Sequence, residues 1–272
     1  MKKVAVIIVD YLKAEKVVQN VKSLITQKTN VDFKIYIIDN SENQDNATIL
    51  KDLTKLPQVY CQINPQNEGY TRAHNQLIQK LQTDYFLLVN PDIYWSDNQS
   101  LEKMIDFMDQ NQQVGLMGPK QLTPPGEIEI NYRKFPSIGT QICRRTFLKY
   151  LPVFSKLVQK YEMQHIDSEK IQTVDWLQSS CVIIRKDLWD MIGGFNEDYF
   201  LFMADTEIAY HIKKLGYEVI YNPKIVVQAD GQRLSAGGVF SFFTKKAFRL
   251  HCKDAWKYYQ NQRKLKKIDK RK

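Results

Sequence analysis

The chain has 272 residues, 43% of them hydrophobic and 25% charged, the proportions of a globular protein with one large domain or two small ones. No stretch reaches the roughly 18 uninterrupted apolar residues of a membrane span, which excludes a chain that crosses a bilayer as helices. The net charge of +9 is confined to one end: residues 240–272 hold 12 Lys/Arg and 2 Asp/Glu and the other 239 hold 27 and 28, so a nucleic-acid-binding protein, the alternative that the positive charge prompts, is disfavoured. In chain order, Val4–Val9 predicts a first strand, too short and without the cleavage site of a signal peptide. A helix follows around Val17–Ile25, with Val17, Val21, Leu24 and Ile25 on one side. Phe33–Ile38 predicts a strand, Ala47–Leu56 a helix, Val59–Ile63 a short strand and Thr71–Leu81 a helix. The unbroken run Tyr85–Val89 predicts a strand buried on both faces.

The second half is less regular. It predicts a helix at Ser100–Asn111, a strand at Val114–Met117, a turn at Thr123–Gly126 and mixed helical character over Arg144–Glu162. Strands follow at Val174–Leu177 and Cys181–Ile184, then a helix at Lys186–Ile192 stopped by Gly193 and Gly194. Ala204–Leu215 predicts a helix and Glu218–Tyr221 a strand. The β-α-β alternation of the first half implies an α/β fold with a largely parallel sheet sandwiched by helices. Four scattered cysteines (Cys61, Cys143, Cys181, Cys252) show no C-x-x-C spacing, so neither a zinc site nor a disulfide framework is expected and a reducing cytoplasm fits.

Polar clusters follow several strands: Asp10-Tyr11, Asp39-Asn40-Ser41, Asn64 to Gly69, and Asn90-Pro91-Asp92. In an open parallel sheet such ends fall along one edge and build one cleft. The carboxylate of Asp92, just past a strand that Pro91 terminates, suits a Mg²⁺ or Mn²⁺ ion bridging to phosphates; an ordinary turn exit is the alternative. Asp39, Asn40 and Ser41 suit a nucleobase edge or ribose hydroxyls, or else form an Asx turn. The segment Asn67 to Asn75, with Gly69 and Arg72, joins a glycine turn to a helix start that can face a diphosphate, yet it is neither a dinucleotide fingerprint nor a P-loop. Asp205 and Glu207 open a helix behind an aromatic loop that includes Phe202. They suit a general base beside a sugar-stacking face, or simply complement the helix dipole.

The ordered set resembles the family 2 glycosyltransferases, inverting nucleotide-sugar enzymes of GT-A fold. The matching pieces are Val6–Val9 with Asp10-Tyr11, Ile37–Ser41, Asn67-x-Gly69-Tyr70-x-x-Ala73-x-Asn75 and Leu88–Asp92. They continue with Val174–Trp176, Ile192–Phe195, Tyr199–Phe202 with Asp205, and Gly216-Tyr217. The resemblance implies donor contacts from Val9, Asp10, Tyr11, Asp39, Asn40, Ser41, Asn67, Gly69, Arg72, Asn75 and Asn90. It further implies a metal ligand in Asp92, a catalytic base in Asp205, and a sugar and acceptor pocket with Trp176, Phe202 and Glu207. Three positions depart from the family pattern. Asn90 replaces the first D-x-D acid, as in the subgroup resembling rhamnosyltransferases; Ala204 replaces the Glu of a Glu-Asp pair; Gln228 stands where many relatives carry His. The expected donor is a dTDP or UDP sugar, L-rhamnose first, and the expected acceptor a glycan or lipid-linked saccharide. A catalytically inactive sugar-nucleotide binder is the alternative that Ala204 and Gln228 motivate.

The expected partition is a catalytic domain over 1–239 and a basic extension over 240–272. In that extension Phe248, Cys252, Ala255, Trp256 and Tyr259 recur at helical spacing opposite Lys246, Arg249, Lys253 and Lys257, with a frayed end from Arg263. The stripe suits a helix lying on an anionic membrane surface at the inner face of the cell membrane, or one packed against the body.

Overall fold

The fully covered strand Tyr85–Val89 lies inside the sheet, as its apolar run requires. The computed structural model describes residues 1–230 and 246–269, and the boundary expected at 239/240 lies outside them. Among the described residues the strands are β1 (Lys3–Asp10), β2 (Asp32–Asp39), β3 (Val59–Ile63), β4 (Tyr85–Val89), β5 (Ile93–Tyr94) and β6 (Val114–Leu122). The remainder are β7 (Ile128–Glu129), β8 (Tyr132–Arg133), β9 (Gln172–Thr173), β10 (Trp176–Leu177), β11 (Cys181–Arg185) and β12 (Glu218–Ala229). The main sheet runs β3-β2-β1-β4-β11-β6-β12-β5, with β7 on β6 and β9 on β12, while β8 and β10 pair apart from it.

The first four strands are all parallel, the crossover arrangement that the β-α-β pattern predicts. Beyond them the sheet is mixed. β11 runs antiparallel between β4 and β6, β6 and β12 are parallel, and β5 closes the edge antiparallel to β12.

Two apolar cores cover the two faces, and residue alternation assigns each side chain to one of them. Val4, Val6 and Ile8 point into the first with Val17, Val21 and Leu24 of α1 (Ala14–Leu24) and Met104 and Met108 of α4 (Ser100–Gln110). Ala5 and Ile7 point into the second. There they meet Ala73 and Leu77 of α3 (Gly69–Ile78), Trp189 of α7 (Lys186–Ile192) and Ile208 and Ile212 of α8 (Ala204–Lys214). Helix α2 (Gln44–Asp52) starts three residues before its predicted position, because the Asn43 side chain caps it by accepting from the Asn46 N–H.

Several elements differ from expectation. β12 continues eight residues past Tyr221, and its pairing to β6 shifts between Asn222 and Val226, around the donor-less Pro223. Of the strand expected at Val174–Leu177 only Trp176–Leu177 forms, as β10 paired to β8, while β9 just before it joins β12 in the main sheet. Arg144–Glu162 resolves into the end of α5 (Ile138–Arg145), a 3₁₀ turn (Phe147–Tyr150) and α6 (Pro152–Tyr161), with Pro152 at a helix start where no N–H is missed.

The C-terminal segment is one helix, α9 (Lys246–Asp269), which continues beyond the expected fraying at Arg263. It lies on the body through Asp254, Tyr258 and Gln262, all buried and spaced four apart. Of the stripe read from the sequence, Ala255 and Tyr259 pack against the body while Cys252 and Trp256 face outward, because the packed face is centred about one residue step away.

Candidate active site

The C-terminal ends of β1 and β2 bring Asp10 and Asp39 side by side, and both are buried. Asn46 of α2 separates them by donating to Asp10 at 2.8 Å and to Asp39 at 3.1 Å. Burial pushes the Asp10 carboxyl up, against the pull of the Asn46 hydrogen bond. Asp10 also accepts the Lys13 N–H at 3.1 Å, so it works as a brace at the head of α1. Asp39 differs: its Oδ1 takes the Ser41 N–H at 2.8 Å, while Oδ2 is buried with no hydrogen-bond partner among the described residues. A carboxylate oxygen left this way costs free energy unless a ligand donor meets it.

Neighbouring turns are tied to this point. Asn40 donates to the Gly69 carbonyl at 3.0 Å and accepts from Asn64 at 2.7 Å, and Asn67 accepts the Gly69 N–H at 2.9 Å. Ser41 is buried, while Val9 is partly covered and Tyr11 is exposed. Gly69 has φ +77°, and a Cβ there would lie 2.7 Å from the Phe200 carbonyl oxygen, so only glycine fits. Arg72 and Asn75, expected toward a diphosphate, are engaged elsewhere. Arg72 pairs with Glu68 at 3.4 Å and Glu197 at 3.3 Å, and Asn75 clamps Phe195 through its N–H (2.9 Å) and carbonyl (2.8 Å).

At the end of β4 the Asn90 N–H donates to the Ser180 carbonyl at 2.7 Å. The antiparallel register of β5 and β12 pairs Ile93 with Ala229 and Tyr94 with Gln228, so continuing it one step sets Asp92 opposite Asp230. Lysines of the α1 start reach both carboxylates: Lys13 Nζ lies 2.6 Å from Asp92, and Lys16 pairs with Asp230. Among the described residues no group of three or more His, Cys, Asp or Glu side chains is set to hold a metal, and residues 231–245 contain none of these residue types. Two facing carboxylates with hard oxygen donors nonetheless fit Mg²⁺ or Mn²⁺, which commonly take one or two carboxylates and complete their shell from substrate phosphates.

Ser179, one residue before the Ser180 that meets Asn90, presents its backbone N–H to Asp205. Residues 179 and 180 thus touch both candidate acids' surroundings, one through Asp205 and the next through Asn90. Met203, with φ +71°, swings the chain into α8, and Asp205 Oδ1 accepts the Thr206 N–H at 2.8 Å. Burial raises the Asp205 carboxyl to about 6, despite the N–H groups of Thr206 and Ser179 that favour its ionised form. Glu207 turns inward. Burial raises its carboxyl, but hydrogen bonds from His211, Tyr199 and Asn196 outweigh that and leave it lowered, so it braces the loop before α8. Trp176 is buried, its indole N–H donating to the Lys134 carbonyl at 2.8 Å. Phe202 stacks on His251 of α9 with ring centres 4.8 Å apart.

The model of Glycosyl transferase family 2 matches residues 5–170. The chain belongs to that family. Its relatives include the N-acetylglucosaminyl-diphospho-decaprenol L-rhamnosyltransferase of Mycobacterium tuberculosis, 24% identical over 184 residues, covering 64% of this chain and 59% of the relative. The chain therefore spans about three fifths of that protein's length. Rhamnosyltransferase WbbL of Escherichia coli is 24% identical over 253 residues, covering 89% of each. The mannosyltransferase PcManGT of Pyrobaculum calidifontis, solved with GDP-Man and Mn²⁺, superposes with a TM-score of 0.61 at 14% identity, over 85% of this chain and 58% of that one. GalNAc-T7, solved with UDP, GalNAc and Mn²⁺, gives 0.63 at 14%, over 84% and 43%. The fold of this family 2 chain is thus the GT-A arrangement, and its likeness to rhamnosyltransferases stands on named relatives.

Sequence reasoning missed four residues that organise this family 2 site: Asn46, Lys13, Ser179 and Asp254. Asp254 of α9 accepts the successive N–H groups of Phe200, Leu201 and Phe202 at 3.3, 3.0 and 2.9 Å. Its one visible signal was an acid inside a strongly basic segment.

Proposed function

We propose that this chain transfers a sugar with inversion, L-rhamnose from dTDP-rhamnose in the first instance, to a hydroxyl of a lipid-linked glycan in bacterial surface polysaccharide assembly. The observation that carries this is Asp205, a carboxyl raised to about 6 at the start of α8 and linked through residues 179 and 180 to the turn bearing Asp92. Two relatives named as rhamnosyltransferases support the sugar, and the name of the mycobacterial one includes a polyprenyl diphosphate. The donor base lies at Asp39, whose free oxygen takes an N–H of the pyrimidine ring. Lys13 and Lys16 release their carboxylates toward the diphosphate or stay as its counter-charges. Asp92, with Asp230 beside it, would hold a Mg²⁺ or Mn²⁺ ion, which would supply positive charge for the departing diphosphate. Asp205 takes the acceptor hydroxyl's proton as that oxygen attacks the anomeric carbon from the face opposite the leaving group. A positioned base of this kind contributes roughly 10²–10⁴-fold.

No helix among the described residues is long and apolar enough to cross a membrane. We place the protein in the cytoplasm, peripheral at the inner face of the membrane. The test is transfer from a panel of nucleotide sugars, with the anomeric configuration of product read by NMR. Inversion by the wild type, and loss of transfer with retained donor binding in Asp205→Asn, are expected. Donor binding without transfer by the wild type would favour a sugar-nucleotide binder, and equal loss of both by the variant would remove Asp205 from the role of base.

A further inference from the structure

Helices α5 and α6 and the 3₁₀ turn between them pack chiefly on one another and form a hairpin that stands apart from both apolar cores. Its composition is one-sided: residues 138–161 contain five Lys/Arg and no Asp or Glu, and of these Arg144 pairs with Glu162 just beyond the hairpin. Its outer surface is apolar. Phe147, Tyr150 and Val153 are 73%, 77% and 77% exposed, and Ile142 and Leu157 are exposed beside them. On α6 the inward face is already supplied by Phe154, Val158 and Tyr161, so Val153 and Leu157, one turn apart, lie outside what folding uses. Lys156 and Lys160 run alongside that strip, and the Lys149 ammonium sits 4.9 Å from the centre of the Tyr150 ring.

The root of the hairpin is tied through Lys134 to Trp176, because Lys134 donates its N–H to the Tyr161 carbonyl and accepts the Trp176 indole N–H on its own carbonyl. Tyr161 is buried, its carbonyl accepts the Lys134 N–H at 2.9 Å, and its phenol is raised by burial with a smaller push from Asp205. Tyr258 and Tyr259 of α9 lie close enough to Tyr161 to feel it as well.

We propose that the hairpin tip, formed by Ile142, Phe147, Tyr150, Val153 and Leu157 with its rim of lysines, docks this protein on an anionic lipid bilayer. Aromatic and aliphatic side chains at the apex enter the interface while Lys149, Lys156 and Lys160 meet acidic headgroups. The exposed Lys149, Lys156 and Lys160, with no acid among the 24 residues of the hairpin, match a negatively charged surface, which a protein partner of mixed charge does not require. Because the root of the hairpin is tied through Lys134 to Trp176, docking sets the lipid anchor of an acceptor near the pocket expected at Trp176; this last step rests on the lipid-linked acceptor proposed above.

The test is co-sedimentation of the full chain with vesicles of phosphatidylcholine alone or with roughly one third phosphatidylglycerol. The wild type is expected to bind the anionic vesicles, and Tyr150→Asp/Val153→Asp to bind at least about tenfold more weakly with unchanged thermal melting. Should that variant misfold, Lys149→Glu/Lys156→Glu at two exposed lysines gives the same readout. Wild type that ignores anionic vesicles overturns the proposal, as do variants that bind equally well. So does binding lost on removal of residues 264–272 alone, which would move the contact to the tail. Self-association by light scattering, abolished by the same substitutions in the absence of vesicle binding, would assign the face to a second copy of the chain. Vesicle binding is read without sugar transfer, so failure of the catalytic reading leaves this result intact, and the reverse holds.

Discussion

A carboxyl raised to about 6 is ionised at neutral pH yet retains proton affinity, the compromise a general base needs, and Asp205 reaches it by burial. Activity is expected to fall as pH drops through about 6, where the base becomes protonated. The same shift has an energetic consequence. The folded carboxyl titrates above its ordinary 3.8, so ionising it costs the folded state, fully above about pH 6 and not at all well below 3.8. Asp205→Asn removes that cost, and is expected to raise unfolding stability near pH 8 by up to about 3 kcal/mol, with the gain vanishing toward acid pH. Denaturant melts across pH check this. Asp39→Asn exchanges an unpartnered acceptor oxygen for a donor or weakens its charge. Calorimetry should show donor nucleotide binding weakened roughly tenfold to hundredfold, with the melting curve little changed. Asp39, Asp92 and Asp205 were legible as candidates because each follows a strand or opens a helix. The partners that fix their chemistry were not, since Asn46 and Ser179 act through the folded chain.

Elements carry a second level of control. The loop before α8 is held from three sides: Thr71 donates to the Tyr199 carbonyl at 2.5 Å, Tyr70 N–H donates to the Phe200 carbonyl at 2.7 Å, and Asp254 gathers three N–H groups. The last contact makes α9 a support of the loop that leads into the candidate active site, whatever its outer face binds. Asp254→Ala leaves those donors without their acceptor and is expected to cost about 1–3 kcal/mol of stability. It should also lower kcat more than it raises the donor KM, because Asp205 follows directly on that loop; steady-state kinetics separate the two. Periodicity in the sequence found the helices and most strands, since each buries a stripe set by local spacing. The α9 stripe it found divides on folding: Ala255 and Tyr259 pack on the body, while Cys252 and Trp256 stay exposed. A helix with aromatic residues at 256, 258 and 259 offers more than one apolar face, and the partner surface chooses.

Across the whole molecule, the decisive feature is that the parallel half of the sheet and the mixed half meet at β4 and β11. Asp92 and Asp230, 138 positions apart in the chain, come opposite each other only through the pairing of β5 and β12. The pairing predicts joint behaviour. Asp92→Ala should abolish Mn²⁺-dependent strengthening of nucleotide binding, and Asp230→Ala should weaken it, whereas metal-free binding persists in both through Asp39 and the lysines. Titration calorimetry with Mn²⁺ or with EDTA reads this directly, and unchanged metal dependence in Asp92→Ala would remove it from the metal site.

By itself the sequence determined the α/β alternation, the parallel first half, the family and the acids that carry candidate chemistry. These follow from hydrophobic spacing and from turn residues at strand ends, which are local properties of the chain. Only the tertiary structure decided that Arg72 and Asn75 bind protein groups and that Glu207 braces a loop. It likewise decided that Asp39 keeps an oxygen without a partner and that α9 underpins the catalytic loop. Those outcomes depend on which distant groups compete for each donor and acceptor, and that competition exists only once the chain has folded.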